Sequence, residues 1–175
     1  PTIGGLAIFV AFNIGEFVLL RKDFPTHELF SVLLASSVII LTGLIDDILE
    51  LKPRQKMFGI FIASLVVYFL AGIKVRELSL PLLGHLQLGW WSFPLTIFWI
   101  LALTNAVNLI DGLDGLATGV TLISLVTMGI VGFFFLKSWQ HYVPIMCIML
   151  AACLLGFLPY NFHPAKIFLG DTGDR

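Results

Sequence analysis

The segment NAVNLIDGLDGLA, residues 105–117, places polar side chains between two hydrophobic stretches. Asn108, Asp111 and Asp114 recur every third residue, so in a helix they would present their oxygen atoms along one stripe. Gly112 and Gly115 would let the backbone bend or let a ligand approach closely. A simple polar turn is the alternative interpretation, but a turn needs fewer carboxylates. The pattern favours a site for a cation or a polar ligand.

A second segment, GLIDDILELKPRQK, combines acids and bases. Asp46 and Asp47 are adjacent, and Lys56 follows nine residues after Asp47. Adjacent carboxylates repel each other, so either one of them holds its proton more tightly or the two share a cation. The alternative is that the acids mark a membrane boundary and the basic residues lie near lipid headgroups.

In the third segment, FHPAKIFLGDTG, Asp171 directly follows one glycine and precedes another by two residues. Phe168 lies three residues before Asp171. A single Gly-Asp pair has little specificity. Its weight depends on whether this segment lies on the same side of the molecule as the other two. His163 precedes Pro164, where a helix boundary is expected, and we predict a structural or interfacial role for it.

Composition indicates the elements that position these segments. The chain has 58% hydrophobic residues, 12% charged residues and a mean hydropathy of +0.99, which indicates an integral membrane protein. A net charge of −1 and the absence of a polybasic tail argue against a nucleic-acid partner. Cys147 and Cys153 fall on different helix faces of one apolar run, and we expect them to be packing residues.

About 20 helical residues cross a bilayer core, and six segments have suitable length and hydropathy. They are approximately Ile3 to Leu20, Leu29 to Ile45, Met57 to Ile73, Trp90 to Val107, Leu116 to Leu136 and Tyr142 to Phe162. The intervening KVRELSLPLLGHLQLG predicts a small hairpin or an interfacial segment. The fold class is therefore all-α, a polytopic transmembrane helical bundle, with residues 1–175 as a single integral membrane domain.

Lysines and arginines divide evenly between the two sides, so their count does not predict the orientation. The acids do segregate, because an even number of crossings separates the three polar segments. Seven of the eleven acids share that side: Asp46, Asp47, Glu50, Asp111, Asp114, Asp171 and Asp174. We expect these segments to converge on one cleft.

Oxygen ligands without paired His or Cys suit a hard cation such as Mg²⁺, which completes its coordination with water and phosphate oxygens. Lys56 and Arg54 could meet further phosphate charge. The residues thus indicate phosphoryl or phosphosugar chemistry at a membrane. A cation transporter would place its acids near the middle of the membrane, and an intramembrane aspartyl protease would not need the basic segment.

Four segments in order, PTIGG, GLIDDILELKPRQK, NAVNLIDGLDGLATG and GFLPYNFHPAKIFLGDTG, resemble the polyprenyl-phosphate N-acetylhexosamine-1-phosphate transferases. The resemblance implies transfer of GlcNAc-1-phosphate from a UDP-sugar to undecaprenyl phosphate, with release of UMP. This step initiates cell-envelope glycans such as lipopolysaccharide or teichoic acid. The alternative within the family is the phospho-MurNAc-pentapeptide transferase of peptidoglycan synthesis.

The resemblance also implies roles for individual residues. Asn108 and Asp171 would bind Mg²⁺, or Mn²⁺ in its place. Phe168 would stack on uracil, while Gly112 and Asp114 would contact the uridine.

The catalytic residues that the resemblance implies are Asp46, Asp47, Lys56 and Asp111. Lys56 would contact the diphosphate. Asp46 and Asp47 form the acidic pair of the family, and either one of them deprotonates the lipid phosphate or both organise Lys56 and the phosphates. A phosphate monoester is already largely ionised at neutral pH, so a strong base is not required.

The implied partners are a UDP-N-acetylhexosamine, undecaprenyl phosphate and membrane lipid, and the resemblance is compatible with a homodimer. The implied location is the bacterial inner (plasma) membrane, with several crossings and an active site that faces the cytoplasm. Family members also have an earlier helix, later helices and a later His-rich loop that contacts the sugar. We therefore expect the chain to be part of a longer protein.

Overall fold

The computed structural model describes residues 4–20, 26–49, 51–80, 84–136 and 142–169. Within this part of the chain lie six α-helices and one pair of strands. The helices are α1 (Gly4–Gly15), α2 (Thr26–Leu49), α3 (Pro53–Phe69), α4 (Ser92–Ile110), α5 (Leu116–Phe135) and α6 (Tyr142–Asn161). A π-helical segment, Glu16–Leu20, continues α1, and a short 3₁₀ turn, Gly89–Trp91, leads into α4.

The helices confirm the fold class, a helical membrane protein. Among the residues that the structure describes, four regions are long and apolar enough to cross a bilayer: Leu29–Asp46, Gly89–Ile110, Leu116–Phe135 and Tyr142–Asn161. The other two predicted spans are also helical, but Gly4–Leu20 is a shorter apolar helix and α3 has 17 residues. Because the side of each polar segment depends on all six crossings, the shared side of the acids stays a prediction.

The segment between α3 and α4 is the predicted hairpin. Strands β1 (Glu77–Leu80) and β2 (Gly84–Gln87) pair antiparallel, with Glu77 opposite Gln87 and Leu80 opposite Gly84. The backbone N–H of Val75 donates to the buried hydroxyl of Thr96 at 3.0 Å, which fixes the start of the hairpin against α4.

The described residues form two compact units, one from 30–106 and the other from 1–29 together with 107–175. In the first unit, α3 approaches α2 closely, because a Cβ at Gly59 would collide with Thr42. In the second, a Cβ at Gly129 of α5 would lie 2.6 Å from Ile148 of α6. Small residues at such contacts let helices in a membrane pack closely. The prediction of one domain over 1–175 stays a prediction.

The first apolar segment contains two polar residues, Asn13 and Glu16. Because a polar side chain that faces lipid costs free energy, we expect both to lie against protein or near the outer end of the segment. Glu16 is only 3% exposed, in agreement with the first alternative. The amide of Asn13 donates to the backbone carbonyl of Phe9 at 2.7 Å, within its own helix. Burial against protein keeps the Glu16 carboxyl out of contact with lipid.

Candidate functional site

The turn between α4 and α5 carries the first polar segment. Helix α4 ends at Ile110, so Asn108 lies on the last helical turn while Asp111 and Asp114 lie in the turn itself. The three residues therefore do not form one continuous helical stripe, because the glycine-containing turn interrupts the helix first. Asn108 is exposed and Asp111 is half-buried, and the backbone N–H of Asp111 donates to the carbonyl of Asn108 at 3.2 Å.

Gly115 ends this turn and starts α5 in a left-handed conformation, with φ of 73°. A Cβ there would lie 3.3 Å from the ring of Phe162 and 3.5 Å from the carbonyl oxygen of Asn161. The turn is thus packed against the chain that leaves α6. Gly112 is exposed, and a Cβ added to it would meet no atom within 4 Å, so its contact with a ligand stays a prediction.

We expect Gly115→Ala to destabilise the protein by roughly 1 to 2 kcal/mol, because a residue with a Cβ is strained at this φ. The matched control is Gly119→Ala, since Gly119 lies inside α5 with open space around it. Alanine is favoured over glycine in a helix, so the control should be neutral or stabilising. Thermal unfolding of the two variants in detergent checks the difference, and equal unfolding temperatures would contradict the packing described for Gly115.

Asp114 joins the turn to the segment that follows α6, residues 162–169, which we call the Phe168 loop. Its Oδ2 accepts a hydrogen bond from the backbone N–H of Ala165 at 3.1 Å and lies 3.1 Å from Nδ1 of His163. An ionised carboxylate only accepts, so the second contact requires a proton on Nδ1. His163 therefore contributes to the structure by contacting Asp114.

Both contacts stabilise the charged form of Asp114. The backbone N–H of Ala165 contributes most, and together with His163 it holds the pKa of the Asp114 carboxyl below its usual range. A lowered pKa means that the contribution to stability is present above the ordinary carboxyl pKa and is lost as the pH falls through the folded value. The link is therefore intact at neutral pH.

A buried pair of side chains also holds the Phe168 loop. The hydroxyl of Thr118 on α5 donates to Oδ1 of Asn161, the last residue of α6, at 2.7 Å. The amide Nδ2 of Asn161 donates to the carbonyl of Ile167 at 3.1 Å. Thr118 is fully buried and Asn161 is 2% exposed. Neither was singled out from the sequence, although Asn161 lies in the motif GFLPYNFHPAKIFLGDTG.

The start of α1 completes the support of the loop. The backbone N–H groups of Gly4 and Gly5 donate to the carbonyls of Phe168 and Leu169 at 3.0 and 2.7 Å. These donors would otherwise be unpaired at a helix N-terminus. A Cβ at Gly4 would meet the carbonyl oxygen of Phe168 and the ring of Phe157, so only glycine permits this approach. The structure thus gives the two glycines of the PTIGG motif a role that the sequence did not reveal. The Phe168 side chain is 39% exposed.

Asp46 and Lys56 form an ion pair in the other unit. Nζ of Lys56 lies 3.1 Å from Oδ2 of Asp46, while Oδ1 of Asp46 accepts the backbone N–H of Leu51 at 2.9 Å. Asp46 is 8% exposed and Lys56 is 20% exposed. Helix α3 begins with Pro53 at its first position, where proline is favoured, and this start places Lys56 in the first turn.

Two predicted site residues lie outside what the structure describes, namely Asp171 and the side chain of Asp47. The described part of the chain contains no group of three or more His, Cys, Asp and Glu residues that could hold a metal ion. The two units are described separately, so the convergence of all the acids on one cleft stays a prediction.

Known proteins resemble this chain over nearly its whole length. Residues 29–174 match glycosyl transferase family 4. A probable undecaprenyl-phosphate N-acetylglucosaminyl 1-phosphate transferase of Bacillus subtilis (strain 168) is 39% identical over 174 residues, which cover 99% of the chain and 47% of that protein. A phospho-N-acetylmuramoyl-pentapeptide-transferase of Clostridium botulinum (strain Eklund 17B / Type B) is 38% identical over 183 residues, or 99% of the chain and 55% of the relative.

A phospho-N-acetylmuramoyl-pentapeptide-transferase of Moorella thermoacetica is 37% identical over 185 residues, with 99% of the chain and 56% of the relative covered. The chain spans about half the length of the curated relatives it matches. The resemblance inferred from the four sequence motifs is confirmed. With most of its length matched, the chain belongs to glycosyl transferase family 4.

Proposed function

We propose that this protein is a membrane transferase that moves a sugar 1-phosphate from a UDP-N-acetylhexosamine to a polyprenyl phosphate and releases UMP. The observation that carries the proposal is the Phe168 loop, which Asp114, Asn161 and Gly4 hold in place. A half-exposed aromatic ring on a fixed backbone suits the binding of a nucleotide base by stacking. The names of the two relatives support the same chemistry.

The finer proposal is that the sugar is GlcNAc and that the lipid is undecaprenyl phosphate. The segments LELKPRQK and NFHPAKIFLGDTG favour this choice over the phospho-MurNAc-pentapeptide. Overall identity does not separate the two, since the relatives of both kinds are 39% and 38% identical to the chain. We further propose that the protein lies in the bacterial inner membrane with this site facing the cytoplasm.

The chain offers oxygen donors for the proposed metal. Asn108 presents an exposed amide at the end of α4, and Asp171 would supply the negative charge. Mg²⁺ retains several waters and binds phosphate oxygens, so it does not need a cage made only of protein ligands. When bound, it would neutralise charge that develops on the diphosphate.

Lys56 is proposed to contact the diphosphate of the UDP-sugar. Its ammonium group already faces Asp46, which has a second bond to the backbone of Leu51 and is therefore held in place. This contact supports the interpretation in which Asp46 organises Lys56. Gly112 and Asp114 would contact the uridine, and Asp111 would act with Lys56 as a catalytic residue.

The test is UMP release by the full-length protein in vesicles that contain undecaprenyl phosphate. We expect release with UDP-GlcNAc and little or none with UDP-MurNAc-pentapeptide. Activity only with the second substrate would overturn the choice of sugar. No UMP from either substrate, together with cation flux across the vesicles, would favour the transporter instead.

We expect Phe168→Ala to weaken UDP-GlcNAc binding by roughly 1 to 3 kcal/mol, the value of base stacking on an aromatic ring in nucleic-acid complexes. The affinity for the lipid should change little, because the ring is proposed to contact only the base. Phe134→Ala is the matched control, since Phe134 is 76% exposed on α5 and distant in sequence from the loop. Titration calorimetry with UDP-GlcNAc measures both variants, and wild-type affinity in Phe168→Ala would exclude the stacking role.

A further inference from the structure

Thr118 and Asn161 are buried polar residues to which the proposed chemistry gives no task. Their side chains make one continuous connection from α5 to the Phe168 loop, through hydrogen bonds of 2.7 and 3.1 Å. With 0% and 2% of their surfaces exposed, they are placed to act through the backbone of that loop. When buried polar side chains form their hydrogen bonds to each other and to the backbone, they fix one arrangement of the groups that they join.

The hydroxyl of Thr118 anchors the side-chain amide of Asn161, while the carbonyl of Ile167, which can only accept, sets which way the amide points. By donating to Oδ1, the hydroxyl restrains the amide whose Nδ2 faces the carbonyl of Ile167. In the flipped orientation two carbonyl oxygens would face each other and neither could donate. Thr118 therefore restrains the amide that makes the bond to Ile167.

That bond holds one of the two peptide groups that flank Phe168. The carbonyl of Ile167 belongs to the peptide before Phe168 and is held by Asn161, while the carbonyl of Phe168 belongs to the peptide after it and is held by Gly4. With both peptides fixed, the Cα–Cβ bond of Phe168 has a defined direction. A ring that is already oriented loses less conformational entropy when it binds a ligand.

We propose that Thr118 is a positioning residue for nucleotide recognition, acting through Asn161 on the backbone that presents Phe168. The ligand in this inference, a UDP-sugar, comes from the proposed function. The hydrogen bonds on which the inference is built do not depend on that function. The hydroxyl anchors the amide, the amide fixes the Ile167 carbonyl, and the fixed peptide directs the ring.

The test compares three variants of the full-length protein in UMP-release kinetics. Thr118→Val has nearly the same shape but no hydroxyl, and we expect the KM for UDP-GlcNAc to rise roughly three- to tenfold, as the loss of one net hydrogen bond implies. Thr118→Ser keeps the hydroxyl and should restore the wild-type KM. Thr127→Val is the control, because Thr127 is an exposed residue of α5 whose hydroxyl only donates to Ile123 of the same helix. The KM for undecaprenyl phosphate should stay within about twofold in all three.

Hydrogen exchange supplies a readout that does not depend on activity. The amides of Gly4 and Gly5 donate to the Phe168 loop, so Thr118→Val should speed their exchange, while Thr118→Ser and Thr127→Val should not. If wild-type protein released no UMP but the exchange pattern held, the proposed function would fail while the positioning role of Thr118 remained. An unchanged KM with unchanged exchange, or an equal effect in Thr127→Val, would overturn the proposal. If the valine variant does not fold, Thr118→Ala takes its place with the same expected outcomes.

Discussion

Full-length protein that carries Asp171→Asn should insert into the membrane normally and lose most of its turnover. In the proposed site Asn108 offers Mg²⁺ only a neutral oxygen, so Asp171 must supply most of the charge from the protein. The substitution keeps the size of the side chain and one carbonyl oxygen but removes that charge. Metal neutralisation of phosphate charge is worth several kcal/mol, so UMP release should fall on the order of a hundredfold.

A Mg²⁺ titration of UMP release separates this role from a structural one. Weaker metal binding should be partly rescued at high Mg²⁺ in Asp171→Asn, and Asn108→Ala should shift the requirement in the same direction. Asn105→Ala is the control, because Asn105 lies on the same helix and its amide donates to the backbone carbonyl of Leu101 at 3.0 Å. Wild-type activity with an unchanged Mg²⁺ requirement in both site variants would show that these residues do not hold the metal.

The elements of the fold could be predicted because their signals are local. Long apolar runs located all six helices, and alternating residues with Pro and Gly located the hairpin between Glu77 and Gln87. The end of α4 at Ile110 was less clear, since Asn108, Asp111 and Asp114 fit a helical period. In the structure the helix ends before Asp111 and Gly112. The spacing of three residues between the polar side chains could not predict this end.

The contacts that hold the site could not be predicted, because they join residues far apart in the sequence. Thr118 and Asn161 are 43 positions apart, and Asp114 and Ala165 are 51 apart. Thr118 occurs in an apolar helix, where a hydroxyl more often bonds to its own backbone, as Thr127 does with Ile123. Nothing in the spacing distinguishes these two threonines. The family resemblance identified Phe168 as a site residue without indicating what fixes its backbone.

Lys56→Met should abolish most turnover and also destabilise the protein, because it removes the cation that faces the buried carboxylate of Asp46. A buried charge that loses its partner is costly, although the 20% exposure of Lys56 lets water reduce that cost. We expect a loss of roughly 1 to 3 kcal/mol in the free energy of unfolding. Lys52→Met is the control, since Lys52 is an exposed residue of the same segment.

The double variant Asp46→Asn with Lys56→Met separates stability from catalysis. The neutral amide that replaces the Asp46 carboxylate would no longer need a cation, and its oxygen can still accept the backbone N–H of Leu51, so much of the lost stability should return. Turnover should not return, because in the proposed reaction Lys56 stabilises charge on the diphosphate as well as facing Asp46. Thermal unfolding and UMP release are measured on the wild type, both single variants and the double variant, which together form a double-mutant cycle. A double variant that regained wild-type turnover would mean that the lysine serves only to neutralise Asp46, and the diphosphate would then need another cation.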